Sequence, residues 1–205
     1  ALELSVFDVQ VKDKQQQLIA VLPEVRLHIS PWHALFNTNK ALDRVTLQKP
    51  VIYLTLNEKE HWNVQDFLKP SESDETPFYG LLAIEEGKII TETPYGKWDF
   101  ALAGTVDGSG NPKFAVDAKL AHAADSLQLK GLIDMKAVGN LTVKSEHFAL
   151  EAFAPLAQEF GKVKDFRGAV RNVNLLWTNS GKDVTMAGAV VLEQLTGTAI
   201  YEDWE

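Results

Sequence analysis

Apolar and polar residues alternate along most of this chain. Every second position is apolar or glycine in several stretches, among them residues 98–106, 114–120, 127–133 and 184–192. A period of two is typical of β-strands that bury one face and expose the other. The pattern therefore predicts about a dozen β-strands and a mainly β fold.

Short turn sequences separate the predicted strands. They are rich in Gly, Asn, Asp and Lys, as in residues 12–14, 86–87, 107–112, 138–140 and 179–181. Connections this short suit antiparallel neighbours, because parallel neighbours need a crossover of a dozen or more residues. We therefore expect an antiparallel β-meander.

Helical patterns are scarce and short. Ser30 is a suitable N-cap in front of Pro31, and Asn63 is a suitable N-cap for a single turn over residues 63–68. Residues 148–160 form the longest candidate, although a proline interrupts them. We expect two or three short helices that interrupt the meander.

One segment has the character of a surface loop. Residues 69–77 read KPSESDETP, which is acidic, bounded by prolines and free of apolar residues. It would separate an N-terminal unit (1–68) from a sheet segment (78–205), with one continuous domain as the alternative. The chain begins without Met and ends just after a strand-like stretch, so we interpret it as a fragment of a longer protein.

Composition and charge exclude several classes of partner and site. The chain is 45% hydrophobic and 23% charged, as in ordinary packed proteins. Its net charge of −8, without a basic stripe, argues against nucleic acid or an anionic membrane as the main partner. The absence of cysteine excludes a disulfide, a thiolate zinc site and a cysteine nucleophile.

The sequence contains no group of residues with the types and spacing that catalysis or metal binding requires. The five histidines are not spaced as metal ligands. Residues 107–111 begin like a calcium loop, but Ala118 stands where that loop requires a bidentate Glu. Adjacent acidic residues would point to opposite faces of a strand. We therefore expect a non-enzymatic protein with no catalytic residue, metal or cofactor.

The N-terminal third of the chain resembles a known family in the order and spacing of its predicted strands and helices. These parts are LSVFDVQV (4–11), IAVLPEVRLHIS (19–30), WHAL (32–35), LDRVTLQKPVIYL (42–54) and HWNVQDFL (61–68). Together they resemble the N-terminal pattern of the AsmA-like family of bacterial envelope proteins, to which TamB and YhdP are related. The resemblance covers about residues 2–70.

Two later stretches extend this resemblance, and one position departs from it. IEEGKI (84–89) is similar to a strand turn of that family, and GAVRNVNL (168–175) is similar to its repeated strand pattern. Glu60 and His61 stand where the family often has Asp-Gly.

The resemblance implies a fold and a function. The fold would be a curved antiparallel β-meander, forming an open groove or taco-like sheet with an apolar concave face. The parent protein would be anchored in the inner membrane of a diderm bacterium, with this part in the periplasm. Its partners would be phospholipid acyl chains, carried between inner and outer membranes, or outer-membrane assembly proteins. No cofactor and no catalytic residue are implied.

Physical chemistry is compatible with such a groove and with an alternative. Exposing an acyl chain to water costs about 0.8 kcal/mol per CH₂, hence on the order of 12 kcal/mol for a typical chain. An apolar sheet face would remove most of that cost. The same alternation also builds a closed β-sandwich whose faces fill each other, as in an adhesion or scaffold module. A hydrolase with a site assembled from distant residues is a further, weaker alternative.

The alternation also assigns residues to the proposed groove. Strand parity places on its apolar face Phe100, Leu102, Phe114, Val116, Leu127, Leu129, Leu141, Val143, Val173, Leu175, Met186 and Val190. The helical spacing after the turn at residues 57–60 predicts an amphipathic plug that covers the open end of the sheet, formed by Trp62, Val64, Phe67 and Leu68. We expect Trp62 and Phe67 to be buried against the sheet.

Overall fold

The computed structural model describes residues 2–36, 40–57, 62–64, 79–94, 96–109, 113–134, 138–151, 154 and 163–199. These residues form eleven β-strands and one short helix. The elements are β1 (Leu2–Lys12), β2 (Leu18–Ile29), α1 (Pro31–Phe36), β3 (Leu42–Gln48), β4 (Val51–Thr55), β5 (Leu81–Thr93), β6 (Gly96–Asp107), β7 (Phe114–His122), β8 (Asp125–Ile133), β9 (Gly139–Ala149), β10 (Val163–Asn179) and β11 (Val184–Ala199). The predicted mainly β fold is confirmed.

All eleven strands belong to one sheet, in the order β1-β2-β3-β5-β6-β7-β8-β9-β10-β11, and β4 pairs with β2 and β5 beside β3. The sheet continues across the predicted boundary between the N-terminal unit and the sheet segment, because β3 and β4 both pair with β5. The predicted loop at residues 69–77 lies outside the described residues.

The meander is interrupted once. From β5 to β11 every sequential pair is antiparallel, as predicted, but β5 runs parallel to β3 and β4. A parallel pair requires a long connection. Residues 56–80, which connect β4 to β5, are long enough to supply it, so the expectation of a purely antiparallel sheet is wrong at this point.

Left-handed residues interrupt the N-terminal half of the sheet in β1, between β3 and β4, and in β5. Asp8, Lys49 and Glu86 adopt left-handed conformations, with φ of 55°, 52° and 51°. Lys49 and Glu86 are neighbours: the Lys49 N–H donates to the Glu85 carbonyl at 2.8 Å, and Lys49 Nζ lies 3.5 Å from Glu86 Oε2. At Glu86 the register also shifts, because β5 has one more residue than β6 between Ile84 and Gly87. A bulge of this kind bends its strand and increases the local twist.

One predicted helix is present, and the start of another is part of a strand. α1 forms where predicted, and the Ser30 hydroxyl accepts a 3.4 Å hydrogen bond from the His33 N–H as its N-cap. The helix predicted over 148–160 is wrong at its start, since Phe148 and Ala149 complete β9. The Leu150 N–H then donates to the Gly168 carbonyl, so pairing with β10 prevails there over helix formation.

The prediction that Trp62 is buried against the sheet as part of an end plug is wrong. Its side chain is 37% exposed, because the backbone of Trp62 pairs with Leu56 in an isolated β-bridge that continues β4 outward. Val64 is half-buried in a turn. Phe67 and Leu68 lie outside the described residues.

Asn63 instead completes the edge of β4. Its side-chain amide donates to the Tyr53 carbonyl at 2.8 Å, and its Oδ1 accepts from the Thr55 N–H at 3.0 Å. Its own N–H donates to the Thr55 carbonyl at 2.9 Å. The amide thus satisfies strand groups in the way that a peptide unit of a neighbouring strand would.

Asn63→Asp should lower the free energy of unfolding by about 2 kcal/mol. A carboxylate cannot donate to the Tyr53 carbonyl and would repel it. Urea unfolding measures the effect. Asn140→Asp is the control, because Asn140 is exposed on β9 and the same change should leave stability almost unaltered there. Equal losses in both variants would contradict the role of the Asn63 amide.

Candidate functional site: an apolar face of the sheet

The pairing register carries one set of apolar side chains across the whole sheet. Residues that lie directly opposite each other on neighbouring strands share a face. The pairs that connect this set are Leu4–Leu27, Val6–Val25, Leu27–Val45, Val25–Leu47, Val45–Leu82, Leu47–Ile84, Ile52–Ile89, Ile89–Phe100, Leu82–Val106, Leu102–Leu120, Val106–Val116, Phe114–Ile133, Leu120–Leu127, Leu129–Val143, Val143–Leu175, Leu141–Trp177 and Trp177–Met186. We call this surface the apolar face.

The register brings the predicted groove residues together on the apolar face. Most belong to the pairs above, while Val173 and Val190 alternate with Leu175 and Met186 along their strands. Val173 is buried, at 7% exposure, whereas Met186 and Val190 are 64% and 40% exposed. The others are half-buried, namely Phe100, Leu102, Phe114, Val116, Leu127, Leu129, Leu141, Val143 and Leu175. That they bind a ligand stays a prediction.

Sequence reasoning missed about half of this surface. The missed members include Leu27, Val45, Leu47, Ile52, Leu82, Ile84, Ile89, Trp98, Leu120, Ile133 and Trp177. Several were detectable, because Trp98, Leu120 and Ile133 lie in the same alternating stretches as predicted residues. Those in β2 to β5 join the face only through the parallel pairing, which the alternation does not reveal.

The opposite side of the sheet is charged. Ion pairs join neighbouring strands there: Lys88 to Asp99 at 2.9 Å, Lys130 to Asp117 at 2.9 Å, and Arg171 to Glu193 at 2.7 Å. The hydrogen bond and the positive charge of Lys88 hold the pKa of Asp99 below its ordinary value. Exposed pairs of this kind add little stability. They keep the side of the sheet opposite the apolar face hydrated.

The apolar face is only partly covered. Among the described residues, the strands in substantial contact are those that pair with each other in the sheet. Few large apolar side chains are deeply buried, Phe148 and Trp98 among them, at 3% and 7% exposure. A filled sandwich would bury the inner face of the sheet much more completely.

A polar cluster fastens the turn between β7 and β8 to β9. The Asp125 carboxylate accepts from the Ala149 N–H at 2.7 Å and lies 2.7 Å from His147 Nδ1. The Ser145 hydroxyl, in turn, lies 2.8 Å from the carbonyl oxygens of Ser126 and of His147. Burial of Asp125 acts to raise its pKa, but the hydrogen bonds from His147 and Ala149 outweigh it and hold the pKa below its ordinary value.

This cluster has the residue types of a hydrolase site without the required geometry. In a catalytic triad the serine hydroxyl bonds to the histidine ring that takes its proton. Here the Ser145 hydroxyl is directed to main-chain carbonyls, and Ser145 is buried at 8% exposure. In the part of the chain that the structure describes, no three His, Asp or Glu side chains are grouped to hold a metal ion.

Asp125→Ala should lower the free energy of unfolding by about 2 kcal/mol, because the Ala149 N–H and His147 lose their acceptor. Since the pKa of Asp125 is lowered in the folded protein, its carboxylate stabilises the fold above its ordinary pKa, and this contribution is lost as the pH falls through the lowered value. Urea unfolding at neutral and acidic pH should therefore show the gap between variant and parent closing in acid.

Asp117→Ala is the matched control. Asp117 pairs with Lys130, but the two side chains are 52% and 57% exposed, so the loss should stay below about 0.5 kcal/mol. A gap for Asp125→Ala that persists unchanged in acid would contradict the role assigned to its carboxylate.

No protein-family model and no curated protein matches the chain. Among the described residues, no helix has the length and apolar character needed to cross a membrane.

Proposed function

We propose that the apolar face binds the acyl chains of lipids and that the protein acts without catalysis. The observation that carries this proposal is the continuity of the face. At alternate positions β6, β7 and β8 present only apolar residues and glycine, from Trp98 to Val106, from Phe114 to Leu120 and from Leu127 to Ile133. The face is half-exposed, so a ligand can still cover it.

The chemistry of an acyl chain matches that surface. The chain is long, flexible and without polar groups, so it needs a continuous apolar track rather than specific hydrogen-bond partners. Removing it from water is worth about 0.8 kcal/mol per CH₂. The headgroup would remain in water beyond the edge of the face, and the charged side of the sheet keeps the complex soluble.

The AsmA-like resemblance supplies the setting of this proposal. The fragment would lie in the periplasm of a diderm bacterium, within a protein anchored in the inner membrane. Its groove would pass phospholipids between the inner and outer membranes or support outer-membrane assembly. The alternative, a closed sandwich for adhesion or scaffolding, is less well supported, because the apolar face is not filled by a second sheet among the described strands.

Lipid extraction tests the proposal. Protein purified without detergent from a bacterial host should release phospholipid into organic solvent in amounts comparable to the protein, as measured by mass spectrometry. An unrelated soluble β-protein purified in parallel is the control. Protein that carries no lipid, and takes none up from added short-chain phospholipid, would contradict acyl-chain binding.

A further inference from the structure

The apolar face ends in a polar side chain along β7. From Phe114 to Leu120 the alternate positions of β7 that form this face are apolar, and the next such position is His122. The His122 ring lies 5.6 Å from the ring of Phe100, centroid to centroid, at an interplanar angle of 54°. Because Phe100 belongs to the apolar face, His122 places a polar group at the border of that face.

The hydrogen bond that His122 makes fixes its tautomer. Its Nδ1 atom lies 2.8 Å from the main-chain carbonyl oxygen of Asp99. A carbonyl oxygen only accepts hydrogen bonds, so Nδ1 carries the hydrogen and Nε2 of the neutral ring is an acceptor. Among the described residues, Nε2 has no hydrogen-bond or ion-pair partner. The ring therefore offers one acceptor atom beside the apolar face.

The charge beside His122 favours a cationic donor over an anion. Asp125 is the register partner of His122, and its carboxylate is held by an N–H of β9 and by the His147 ring. The Asp125 side chain is only 16% exposed, so water screens its charge weakly. The Asp99 carboxylate is already paired with Lys88 and adds little. An anion at Nε2 would be repelled by Asp125, whereas an ammonium group would be attracted to it.

We propose that His122 Nε2 accepts a hydrogen bond from the primary ammonium group of a lipid headgroup whose acyl chain lies on the apolar face. The inference rests on the proposed acyl-chain binding and adds the class of headgroup. A primary ammonium has both an N–H donor for Nε2 and a positive charge for Asp125. A trimethylammonium group has the same charge but no N–H, so it cannot form this bond. Ethanolamine phospholipids should therefore bind more tightly than choline phospholipids.

Competition between two short-chain phospholipids with identical acyl chains tests the headgroup. Each lipid, dissolved as a monomer, displaces a fluorescent acyl probe, and the ratio of the two affinities measures the preference. The parent chain should prefer phosphatidylethanolamine to phosphatidylcholine about fivefold, as one added hydrogen bond predicts. His122→Phe should bind the two lipids equally, because a phenyl ring can keep the contact with Phe100 but has no acceptor atom.

His28→Phe is the matched control. His28 follows Leu27 of the apolar face and so points to the opposite side of the sheet, where its Nε2 lies 3.2 Å from Glu3 Oε2. This variant should keep the preference, and free ethanolamine at the lipid concentration should leave it unchanged.

Two kinds of failure are distinguishable in this experiment. Equal affinities of the parent chain for the two lipids, a preference that survives in His122→Phe, or a preference that free ethanolamine abolishes would overturn the headgroup assignment while the probe still binds. Absence of probe binding to the parent chain would contradict acyl-chain binding itself, and this inference with it.

Discussion

Leu129→Asp should weaken the capture of a fluorescent long-chain phospholipid at least tenfold. Leu129 lies in β8, and its register partners Ala118 and Val143 lie on the apolar face. A carboxylate there would have to lose its hydration beneath the acyl chain, which costs several kcal/mol, and every 1.4 kcal/mol is tenfold in affinity. The increase in fluorescence of the probe on binding measures the effect.

Leu132→Asp is the matched control for this experiment. Leu132 belongs to the same strand but pairs with Ala115 and Asn140 on the opposite side of the sheet, and it is 47% exposed. The same substitution there should leave probe capture unchanged. Equal losses in both variants would show that charge or stability, rather than the apolar face, governs capture. Leu129→Asn repeats the test without a formal charge if the Asp variant loses its circular dichroism signal.

Gly131→Ala should lower the free energy of unfolding by about 3 kcal/mol. A Cβ atom at Gly131 would lie 2.0 Å from the Asn140 carbonyl oxygen and 2.8 Å from Leu141 Cα. Both atoms belong to the main chain of β9, so relief of the clash requires β8 and β9 to separate. Urea unfolding followed by circular dichroism measures the loss.

Gly197→Ala provides the comparison. A Cβ there would meet Val163 Cγ1 at 2.3 Å, the end of a side chain that can rotate away, while the nearest main-chain atom, the Lys164 oxygen, is 3.6 Å distant. The stability of this variant should remain within about 0.5 kcal/mol of the parent. Similar losses for the two glycines would contradict close backbone approach as the reason for Gly131.

Local alternation was sufficient to predict the strands and the shared face of β6 to β11. Phe114, Leu129 and Val143 share that face because the antiparallel pairs connecting β7, β8 and β9 are regular. Strand parity is a property of the chain itself, and short turns make sequential strands neighbours. Both kinds of information are present in the sequence.

The bends and the parallel pairing could not be predicted in the same way. Asp8, Lys49 and Glu86 adopt left-handed conformations, whereas residues of the same three types lie in regularly paired stretches of β5 and β6, namely Asp99, Lys88 and Glu92. Such a conformation is stable only because the neighbouring strands impose it. The pairing of β5 with β3 and β4 depends on contacts between distant segments, and it alone joins the N-terminal apolar residues to the face.

The errors at Trp62 and Phe148 have a common cause. Helical spacing predicted a helix in both segments, but in both the backbone pairs with a neighbouring strand. Trp62 pairs with Leu56 beside β4, and Phe148 pairs with Val170 of β10. A backbone that can complete a sheet gains hydrogen bonds that a single helical turn does not provide.

Mapping a bound acyl chain is the most direct test of the account. A fatty acid with a photoreactive diazirine near its methyl end can be bound to the protein, irradiated and located by peptide mass spectrometry. Cross-links should fall on apolar-face positions such as Leu129, Val143 and Leu175, in several adjacent strands. Cross-links confined to the charged side of the sheet, or no cross-link above that of denatured protein, would contradict an apolar face that binds acyl chains.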